Sequence, residues 1–256
     1  MIDFKKGFIV KDCEKIEPLK EIQLCLSELI QKHFEYKNDD PFISLNQVHK
    51  LSPSLTEAEI NDKRVQLIHD FNNMIECGEL IFSAFENTIT NFLGPDILVQ
   101  KNSNVVIQMP DDPNPSELHR DAPSNSPYEI VVWIPMVDCF KTKAMYLLDH
   151  QATSALYDKL LNDNNWEAFE KDAVSMSKII PVKFGQALFF STTILHGSHI
   201  NKENETRISL NTRYKNIFSP SGLKNQLQFF KKLKTSDLIE IGSELELKKN
   251  ELKENG

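Results

Sequence analysis

The chain has 256 residues, of which 40% are hydrophobic and 26% are charged, and these values are ordinary for a soluble globular protein with a buried core. The net charge of −8 at pH 7 excludes a general electrostatic attraction to nucleic acid or to an anionic membrane, because both require a basic surface. Four scattered cysteines and the lack of any apolar run of about 18 residues predict free thiols in a reducing, cytoplasmic compartment and no membrane insertion.

Residues 1–96 are predicted to form a helical N-terminal part. The first stretch, MIDFKKGFIVKD, has no long apolar segment and does not resemble a signal peptide. Apolar residues then recur at helical intervals over residues 22–30 and 65–92. Ser-Pro-Ser at 52–54, followed by acidic residues, is typical of a helix start, and Gly78 is a candidate boundary between two helices.

The composition changes at residue 97. Short segments rich in β-branched and aromatic residues alternate with turn residues across 97–215, which predicts a β-sandwich or barrel. These segments are NVVIQM, YEIVVWIPMV, AMYLL, KIIPVKF, QALFFST and TRISLNTRY. Helical patterns return in an insertion at 152–176 and in a C-terminal extension at 216–256. The insertion is expected to form a lid, a wall of the substrate site or a part of the packed core. Because no clear linker separates these parts, we expect a single domain over 1–256.

His119 and Asp121 stand two residues apart in the segment ELHRDAP. In an extended segment this spacing places both side chains on one side of the backbone, where an imidazole nitrogen and a carboxylate oxygen can hold one metal ion. A third ligand is available from His196, which follows the predicted strand in GQALFFSTTIL. Two histidines and one carboxylate are the ligand set of non-haem Fe(II) oxygenases, and the same set also holds zinc. Considered alone, ELHRDAP is explained equally well as a surface turn.

A predicted strand with one polar face follows His196. Its polar residues alternate with mostly apolar ones, and they are Arg207, Ser209, Asn211 and Arg213. Polar groups on the inner wall of a barrel require a ligand, because burial of an unpaired charge is costly. Arg207 with Ser209 combines a guanidinium fork and a hydroxyl, which suits a carboxylate. The alternative for Arg207 is a surface ion pair with Glu205.

Three segments together resemble the Fe(II)/2-oxoglutarate-dependent dioxygenases. The first holds His119-x-Asp121, the second runs from Gly185 to Gly197 with the distal histidine, and Arg207-x-Ser209 begins eleven residues after that histidine. GQALFFSTTILHGSHIN is most similar to the phytanoyl-CoA hydroxylase-like branch, and LHRDAPSNSPYEIVVWIPMVDC resembles the oxygenases of bacterial surface-carbohydrate gene clusters. The resemblance implies an α+β fold with a double-stranded β-helix (jelly-roll, cupin-like) core and flanking N- and C-terminal helices.

The same resemblance implies a role for each matching residue. His119, Asp121 and His196 would bind Fe(II). The cosubstrate 2-oxoglutarate would chelate that iron, and its 5-carboxylate would pair with Arg207, assisted by Ser209. Dioxygen would take the remaining position, and the reaction would release succinate and CO2 while an unactivated C–H bond is oxidised. Related halogenases lack the carboxylate ligand, so Asp121 favours hydroxylation or another oxidative outcome.

Further candidates lie beside these motifs. Gln108 and Trp133 are predicted to line the cosubstrate pocket, and the alternatives are a satisfied core amide and a core aromatic ring. The predicted substrate contacts are Arg120, Asn211, Arg213 and Tyr146. Their alternatives include solvent exposure for Arg120, a rim salt bridge for Arg213 and core packing for Tyr146. The segment DAPSNSPYE is predicted to be a mobile loop over the iron or an inert surface loop.

We therefore expect an oxidoreductase that acts on a small bacterial metabolite, and the subgroup resemblance indicates a carbohydrate or nucleotide-sugar of surface polysaccharide biosynthesis. Two other function classes remain, namely a non-catalytic cupin-type metal- or sugar-binding protein and a metal-dependent hydrolase or isomerase. The intact Arg207-x-Ser209 argues against the first, and the lack of a recognisable general base argues against the second. The apolar faces of the terminal helices predict a homodimer.

Overall fold

The structure is a computed structural model that describes residues 3–34, 40–51, 55–223 and 226–254. The α-helices are α1 (Glu17–Phe34), α2 (Pro41–Asn46), α3 (Glu57–Met74), α4 (Cys77–Ala84), α5 (Glu86–Leu93), α6 (His150–Asp163), α7 (Trp166–Met176), α8 (Gln226–Phe229) and α9 (Asp237–Glu254). The strands are β1 (Phe8–Asp12), β2 (Ile97–Gln100), β3 (Asn104–Gln108), β4 (Glu129–Pro135), β5 (Met145–Leu147), β6 (Lys178–Ile180), β7 (Gln186–Ser191), β8 (His196–Ser198), β9 (Arg207–Asn216) and β10 (Phe230–Lys234). No helix in these ranges is long and apolar enough to cross a membrane.

Two antiparallel sheets form the centre of the molecule. The larger sheet has the strand order β1-β7-β4-β9-β2-β10, and β3 pairs with the first half of β9. The smaller sheet has the order β6-β5-β8. Apolar side chains from both sheets meet in one buried cluster, to which the larger sheet contributes Trp133 and Leu188 and the smaller sheet Met145 and Leu147. Two sheets that pack face to face over a shared core make the predicted double-stranded β-helix.

Helices α1 to α5 cover the outer face of the larger sheet. Their apolar side chains form one core with alternate residues of β9, because side chains along a strand point to opposite faces in turn. The β9 residues in this core are Ile208, Leu210 and Tyr214, each 0% exposed. The β9 side chains that alternate with these, namely Arg207, Ser209, Asn211 and Arg213, therefore face the space between the two sheets. The predicted α+β class with flanking helices is confirmed.

Two strands lie in segments that the sequence predicted to be helical. Strand β1 pairs with β7 in the register Phe8↔Phe190 to Asp12↔Gln186, and β10 pairs with β2. Both are five-residue strands at the borders of the larger sheet. Each lies beside a longer stretch whose apolar residues recur at helical intervals, and its pairing depends on a partner far away in the chain. The hydrophobic pattern alone could not reveal either strand.

The helix boundaries in the N-terminal part also differ from the expectation. Gly78 lies inside α4 rather than between two helices, and a Cβ at this position would lie 2.6 Å from Cγ2 of Val99. Its carbonyl accepts a hydrogen bond of 2.7 Å from the Tyr214 hydroxyl. The glycine is therefore required by close packing of α4 on the sheet. Ser-Pro-Ser at 52–54 lies outside the described residues, and α3 begins with a capping box between Thr56 and Glu59.

The helical insertion, α6 and α7, packs against the backbone segments that precede His119 and His196. Residues of α6 and α7, among them Leu156 and Phe169, share a buried cluster with Leu195, and Leu118 packs against it. The backbone N–H of Leu195 also donates to the Thr153 hydroxyl at 3.3 Å. Leu118 and Leu195 each precede one of the two histidines singled out from the sequence. The insertion therefore supports the backbone that carries those histidines.

Candidate functional site

His119, Asp121 and His196 lie together at the edge of the smaller sheet. Each offers a ligand atom, and these atoms all lie within 4.8 Å of one another. An antiparallel bridge joins the two histidines, with backbone N–O distances of 3.0 Å and 2.9 Å. The bridge continues the smaller sheet beyond β8, and its extended backbone places His119 and Asp121 on the same side as His196. The geometry fits a metal site with two nitrogens and one carboxylate oxygen.

Both imidazole rings are held in the same tautomer. Nδ1 of His119 donates to the carbonyl of Glu117 at 2.7 Å, and Nδ1 of His196 donates to the carbonyl of Ile194 at 3.0 Å. A carbonyl oxygen can only accept, so the proton of each neutral ring lies on Nδ1 and the lone pair lies on Nε2. Bonds from the second ring nitrogen to backbone carbonyls are the usual way in which proteins orient metal-binding histidines.

The ionisation states of His196 and Asp121 also suit a metal. Burial lowers the pKa of His196 to about 4. Burial opposes ionisation of Asp121, but the neighbouring His119 and the charge of Arg213 outweigh it and hold the pKa of this carboxyl well below its usual range. The same carboxylate, whose Oδ1 lies 3.7 Å from Nε2 of His119, raises the pKa of that ring. At neutral pH, His196 is therefore a neutral imidazole and Asp121 is a carboxylate, the forms that bind metals.

A cavity of about 200 Å³ opens beside the cluster, between the two sheets. Its walls come from β3, β4, β8 and β9, the segment 116–121 and Met145 of β5. The lining residues are Asn104, Val106, Ser116, His119, Asp121, Trp133, Met145, His196, Gly197, Ser198, Arg207, Asn211 and Arg213. The three ligand candidates and Arg207 therefore share one cavity, as the order of the motifs in the chain predicts.

Several buried polar atoms around this cavity have no hydrogen-bond partner among the described residues. They are Nε and Nη1 of Arg207, Oγ of Ser209, Oδ1 of Asn211 and Oε1 of Gln108. Arg207 is only 3% exposed, and burial lowers its pKa. An unpartnered guanidinium at this depth is costly and points to an anionic ligand that completes it. The Glu205 carboxylate, the sequence alternative for Arg207, instead pairs with Lys143.

The remaining predicted site residues are only partly brought together. Trp133, Asn211 and Arg213 line the cavity, whereas Gln108 lines a neighbouring space that also touches Arg207. The amide of Gln108 donates to the carbonyl of His199 at 2.9 Å. Arg120 is exposed, and its guanidinium lies 4.4 Å from the ring centroid of Tyr157, outside the cavity lining.

Tyr146 also lies outside the cavity lining, because it packs behind the strand that carries His196. Its ring lies 4.6 Å from that of His199, and a Cβ at Gly197 would lie 2.5 Å from its hydroxyl oxygen. We expect Gly197→Ala to lower the free energy of unfolding by about 1–3 kcal/mol, because the added methyl overpacks this contact. Thermal denaturation measures the loss, and Tyr146→Leu in the same chain should restore part of it. Equal stabilities of Gly197→Ala and the wild type would contradict this packing role.

Sequence reasoning missed six residues that line the cavity, namely Asn104, Val106, Ser116, Met145, Gly197 and Ser198. Asn104 and Val106 lie opposite Asn211 and Ser209 in the β3–β9 register. The period-two rule applied to NVVIQ would have placed Asn104 and Val106 on the same face as Gln108. Ser116 and Ser198 form the other wall, where the Ser116 N–H donates to the Ser198 hydroxyl at 2.9 Å. No sequence signal marks that contact, since it joins two segments through the fold.

The segment after Asp121 is fixed by buried contacts. The Glu129 carboxylate accepts hydrogen bonds from the side chain of Asn125 and the backbone N–H of Ser126, both at 2.9 Å. A Cβ at Gly222 would lie 2.5 Å from the carbonyl carbon of Asn125, so the chain after β9 packs tightly on this segment. Both contacts favour a packed segment over the mobile loop that is one of the two alternatives expected from composition.

Neither a protein-family model nor a curated protein sequence matches the chain. Solved structures with a similar fold include the non-heme monooxygenase ThoJ in a nickel complex, at 13% identity and a TM-score of 0.53 over 91% of this chain and 83% of that chain. The non-heme alpha ketoglutarate dependent carbocyclase SnoK from nogalamycin biosynthesis has 13% identity and a TM-score of 0.52 over 87% of this chain and 84% of that chain. The epimerase SnoN, in complex with Fe3+, alpha ketoglutarate and nogalamycin RO, has 15% identity and a TM-score of 0.50 over 85% of this chain and 82% of that chain. These likenesses show a shared fold.

Proposed function

We propose that this protein is an Fe(II)- and 2-oxoglutarate-dependent oxygenase. The observation that carries the proposal is the presence, in one cavity, of the His119-Asp121-His196 cluster and the buried, unpartnered guanidinium of Arg207. A metal site alone does not require a second anion-binding group. A dicarboxylate that chelates a metal at one end requires a positive group for its other end. The similar folds of SnoK, an alpha ketoglutarate dependent non-heme enzyme, and of SnoN, which was solved with Fe3+ and alpha ketoglutarate, support the same proposal.

Different residues of this chain would bind the metal ion and the cosubstrate. His119, Asp121 and His196 would hold Fe(II), and Arg207 with Ser209 would hold the distal carboxylate of 2-oxoglutarate. Bound iron with this cosubstrate supplies the oxidation of a C–H bond by dioxygen, with release of succinate and CO2. Trp133 and Met145 are buried and form apolar parts of the cavity wall, which would limit the access of water to a bound cosubstrate.

Other functions are less well supported by the same cavity. A zinc site would account for the three ligands but would leave Arg207, Ser209 and Asn211 with unpartnered atoms. A neutral sugar in a cupin-type site would leave the buried charge of Arg207 without a counter-ion. A metal-dependent hydrolase would need a general base beside a bound water. Among the described residues that line the cavity, Asp121 is the only carboxylate, and it is already paired with Arg213.

The substrate class is a proposal that rests on likeness. The resemblance to the phytanoyl-CoA hydroxylase-like branch and to oxygenases of surface-carbohydrate gene clusters supports hydroxylation of a carbohydrate or nucleotide-sugar. SnoK comes from nogalamycin biosynthesis and SnoN was solved with nogalamycin RO, which supports a small-molecule metabolite more generally. A screen for substrate-dependent succinate release over sugars, nucleotide-sugars and nogalamycin would decide between these classes.

The predictions of a single domain, a cytoplasmic location and a homodimer also remain part of this proposal. Helix α9 exposes Leu238, Ile241 and Leu245 along one face, at 77%, 58% and 62%. A second copy that packs against this face would remove that apolar surface from water.

Anaerobic addition of Fe(II) and 2-oxoglutarate tests the proposal. We expect a weak visible absorption band that neither component gives alone, because the chelate allows charge transfer from iron to the keto acid. Fe(II) with succinate is the matched control, since succinate has the carboxylates but no keto oxygen. A protein that binds Fe(II) but gives no band with 2-oxoglutarate would rule out the cosubstrate assignment.

A further inference from the structure

Asp121 and Arg213 form a buried ion pair in which Arg213 contacts only one of the two carboxylate oxygens. Arg213 donates to Oδ2 from Nη2 at 2.7 Å and from Nε at 3.3 Å. Oδ1 receives neither of these bonds and lies toward Nε2 of His119, at 3.7 Å. The side chains of Arg213 and Asp121 are 5% and 8% exposed. Bonds at this depth are stronger than on the surface, because water competes little with them.

A second residue holds the guanidinium in place. Oε1 of Gln100 accepts from Nη1 and from the backbone N–H of Arg213, both at 3.2 Å. The amide nitrogen of Gln100 donates to the carbonyl of Asn102 at 2.6 Å and to Oδ1 of Asn104 at 3.3 Å. Gln100 is 2% exposed. A continuous chain of hydrogen bonds thus runs from β2 and β3 through Arg213 to one oxygen of the carboxylate.

We propose that Arg213 is a positioning residue that holds Oδ2 of Asp121 so that the carboxylate offers Oδ1 alone to a metal ion, with Gln100 fixing Arg213 in that position. The inference rests on the proposed function, because it concerns the metal site of that function. A carboxylate oxygen has two lone-pair sites, and Nη2 and Nε of Arg213 both donate to Oδ2. A carboxylate that also bound a metal ion through Oδ2 would therefore have to give up at least one of these buried hydrogen bonds, which is unfavourable.

The number of free metal positions follows from this arrangement. Two imidazoles and one carboxylate oxygen fill three positions of a six-coordinate ion and leave three, whereas a carboxylate bound through two oxygens would leave two. A chelating keto acid needs two positions and dioxygen needs a third. The Arg213 contact therefore keeps the third position available. This role differs from the substrate contact expected from the sequence, since a substrate acid would have to displace Asp121 from the guanidinium.

Replacement of Arg213 by methionine tests the proposal, because methionine keeps much of the side-chain length and removes the donors. Co(II) serves as the probe, and its visible absorption reports coordination number. We expect Arg213→Met to lower the Co(II) affinity of the full chain about 10- to 100-fold, as is typical when a partner of a metal ligand is lost. The shape and intensity of the Co(II) absorption should change as well, which a loss of stability alone would not produce.

Arg64→Met is the matched control. Arg64 also pairs with a carboxylate at 2.7 Å, here Asp112, and the two side chains are 19% and 9% exposed. Its removal should cost stability while the Co(II) affinity and spectrum stay at wild-type values. A change in the Co(II) spectrum of Arg64→Met as large as that of Arg213→Met would show that any lost ion pair has this effect, and would overturn the proposal.

A folded Arg213→Met protein with wild-type Co(II) affinity and spectrum would also overturn it. If Arg213→Met does not fold, Gln100→Met keeps both charges and removes only the support. We expect a smaller loss of affinity and a spectral change in the same direction, and wild-type values in Gln100→Met would then count against the proposal. A wild-type protein that binds no Co(II) would instead contradict the proposed function.

Discussion

Replacement of His119 by alanine is expected to abolish oxygenase activity and to weaken Fe(II) binding by more than about 100-fold. Loss of a residue that hydrogen-bonds to a metal ligand typically lowers the metal affinity about 10- to 100-fold, so loss of a ligand itself should lower it more. The His119 side chain is 43% exposed. Surface substitutions usually change the free energy of unfolding by no more than about 0.5 kcal/mol, so the variant should fold as the wild type does. Lost binding in a stable protein would identify His119 as a ligand.

Thermal denaturation under anaerobic conditions separates the two effects. At a metal concentration of about 100 times Kd, a ligand that binds only the native state stabilises it by about 2.7 kcal/mol. The Tm of the wild type should therefore rise when Fe(II) is added, and the Tm of His119→Ala should not. His69→Ala is the matched control, because the side chain of this α3 histidine is 75% exposed and lies outside the cluster. A metal-induced rise in Tm that persists in His119→Ala would refute the assignment.

The parts of the site that could be predicted from the sequence all lie on extended backbone. Period two alone places His119 beside Asp121, and it separates Arg207 and Ser209 from the apolar residues of β9. The family resemblance then connects these segments, and the structure brings them to one cavity. Tyr146 shows the limit of the rule, because it lies on a correctly predicted strand yet packs behind His196 instead of facing the cavity.

The contacts that orient the ligands could not be predicted, because they depend on which strands are neighbours. Gln100 reaches Arg213 only because β2 pairs with β9, and Arg213 reaches Asp121 only because the smaller sheet faces that strand. Sequence patterns give the face of a strand but not its neighbour. The same limit explains why β1 and β10 were expected to be helical.

Two buried arginines of β9 differ in a way that the alternating pattern does not show. Arg213 is 4% exposed and has a carboxylate partner, whereas Arg207 is 3% exposed and has two unpartnered nitrogens. Removal of Arg213 would leave a buried carboxylate unpaired. Among the residues that the structure describes, none would lose a hydrogen-bond partner if Arg207 were removed, so the cost of its removal should appear only when a ligand is present.

Arg207→Met is therefore expected to lower the affinity for 2-oxoglutarate about 10- to 100-fold while Fe(II) binding persists. Hydrogen bonds to charged groups contribute about 1.5–3 kcal/mol, which corresponds to this range of Kd. Without cosubstrate, the variant should be at least as stable as the wild type, because it removes a buried charge that has no counter-ion. Anaerobic titration measures the affinity, and thermal denaturation measures the stability. Ser209→Ala removes only a neutral hydroxyl and should lower the affinity about two- to tenfold.

A shorter keto acid shows whether Arg207 binds the distal carboxylate or acts elsewhere. 2-Oxobutanoate keeps the chelating end of 2-oxoglutarate and lacks the second carboxylate. The wild type should prefer 2-oxoglutarate by about the factor that Arg207→Met loses, and the variant should bind both acids with similar affinity, because the group that distinguishes them is gone. A variant that keeps the full preference, or one that loses Fe(II) instead, would place the carboxylate anchor at another residue. The polar face of β9 offers Asn211, whose buried Oδ1 is also unpartnered, as the next residue to test.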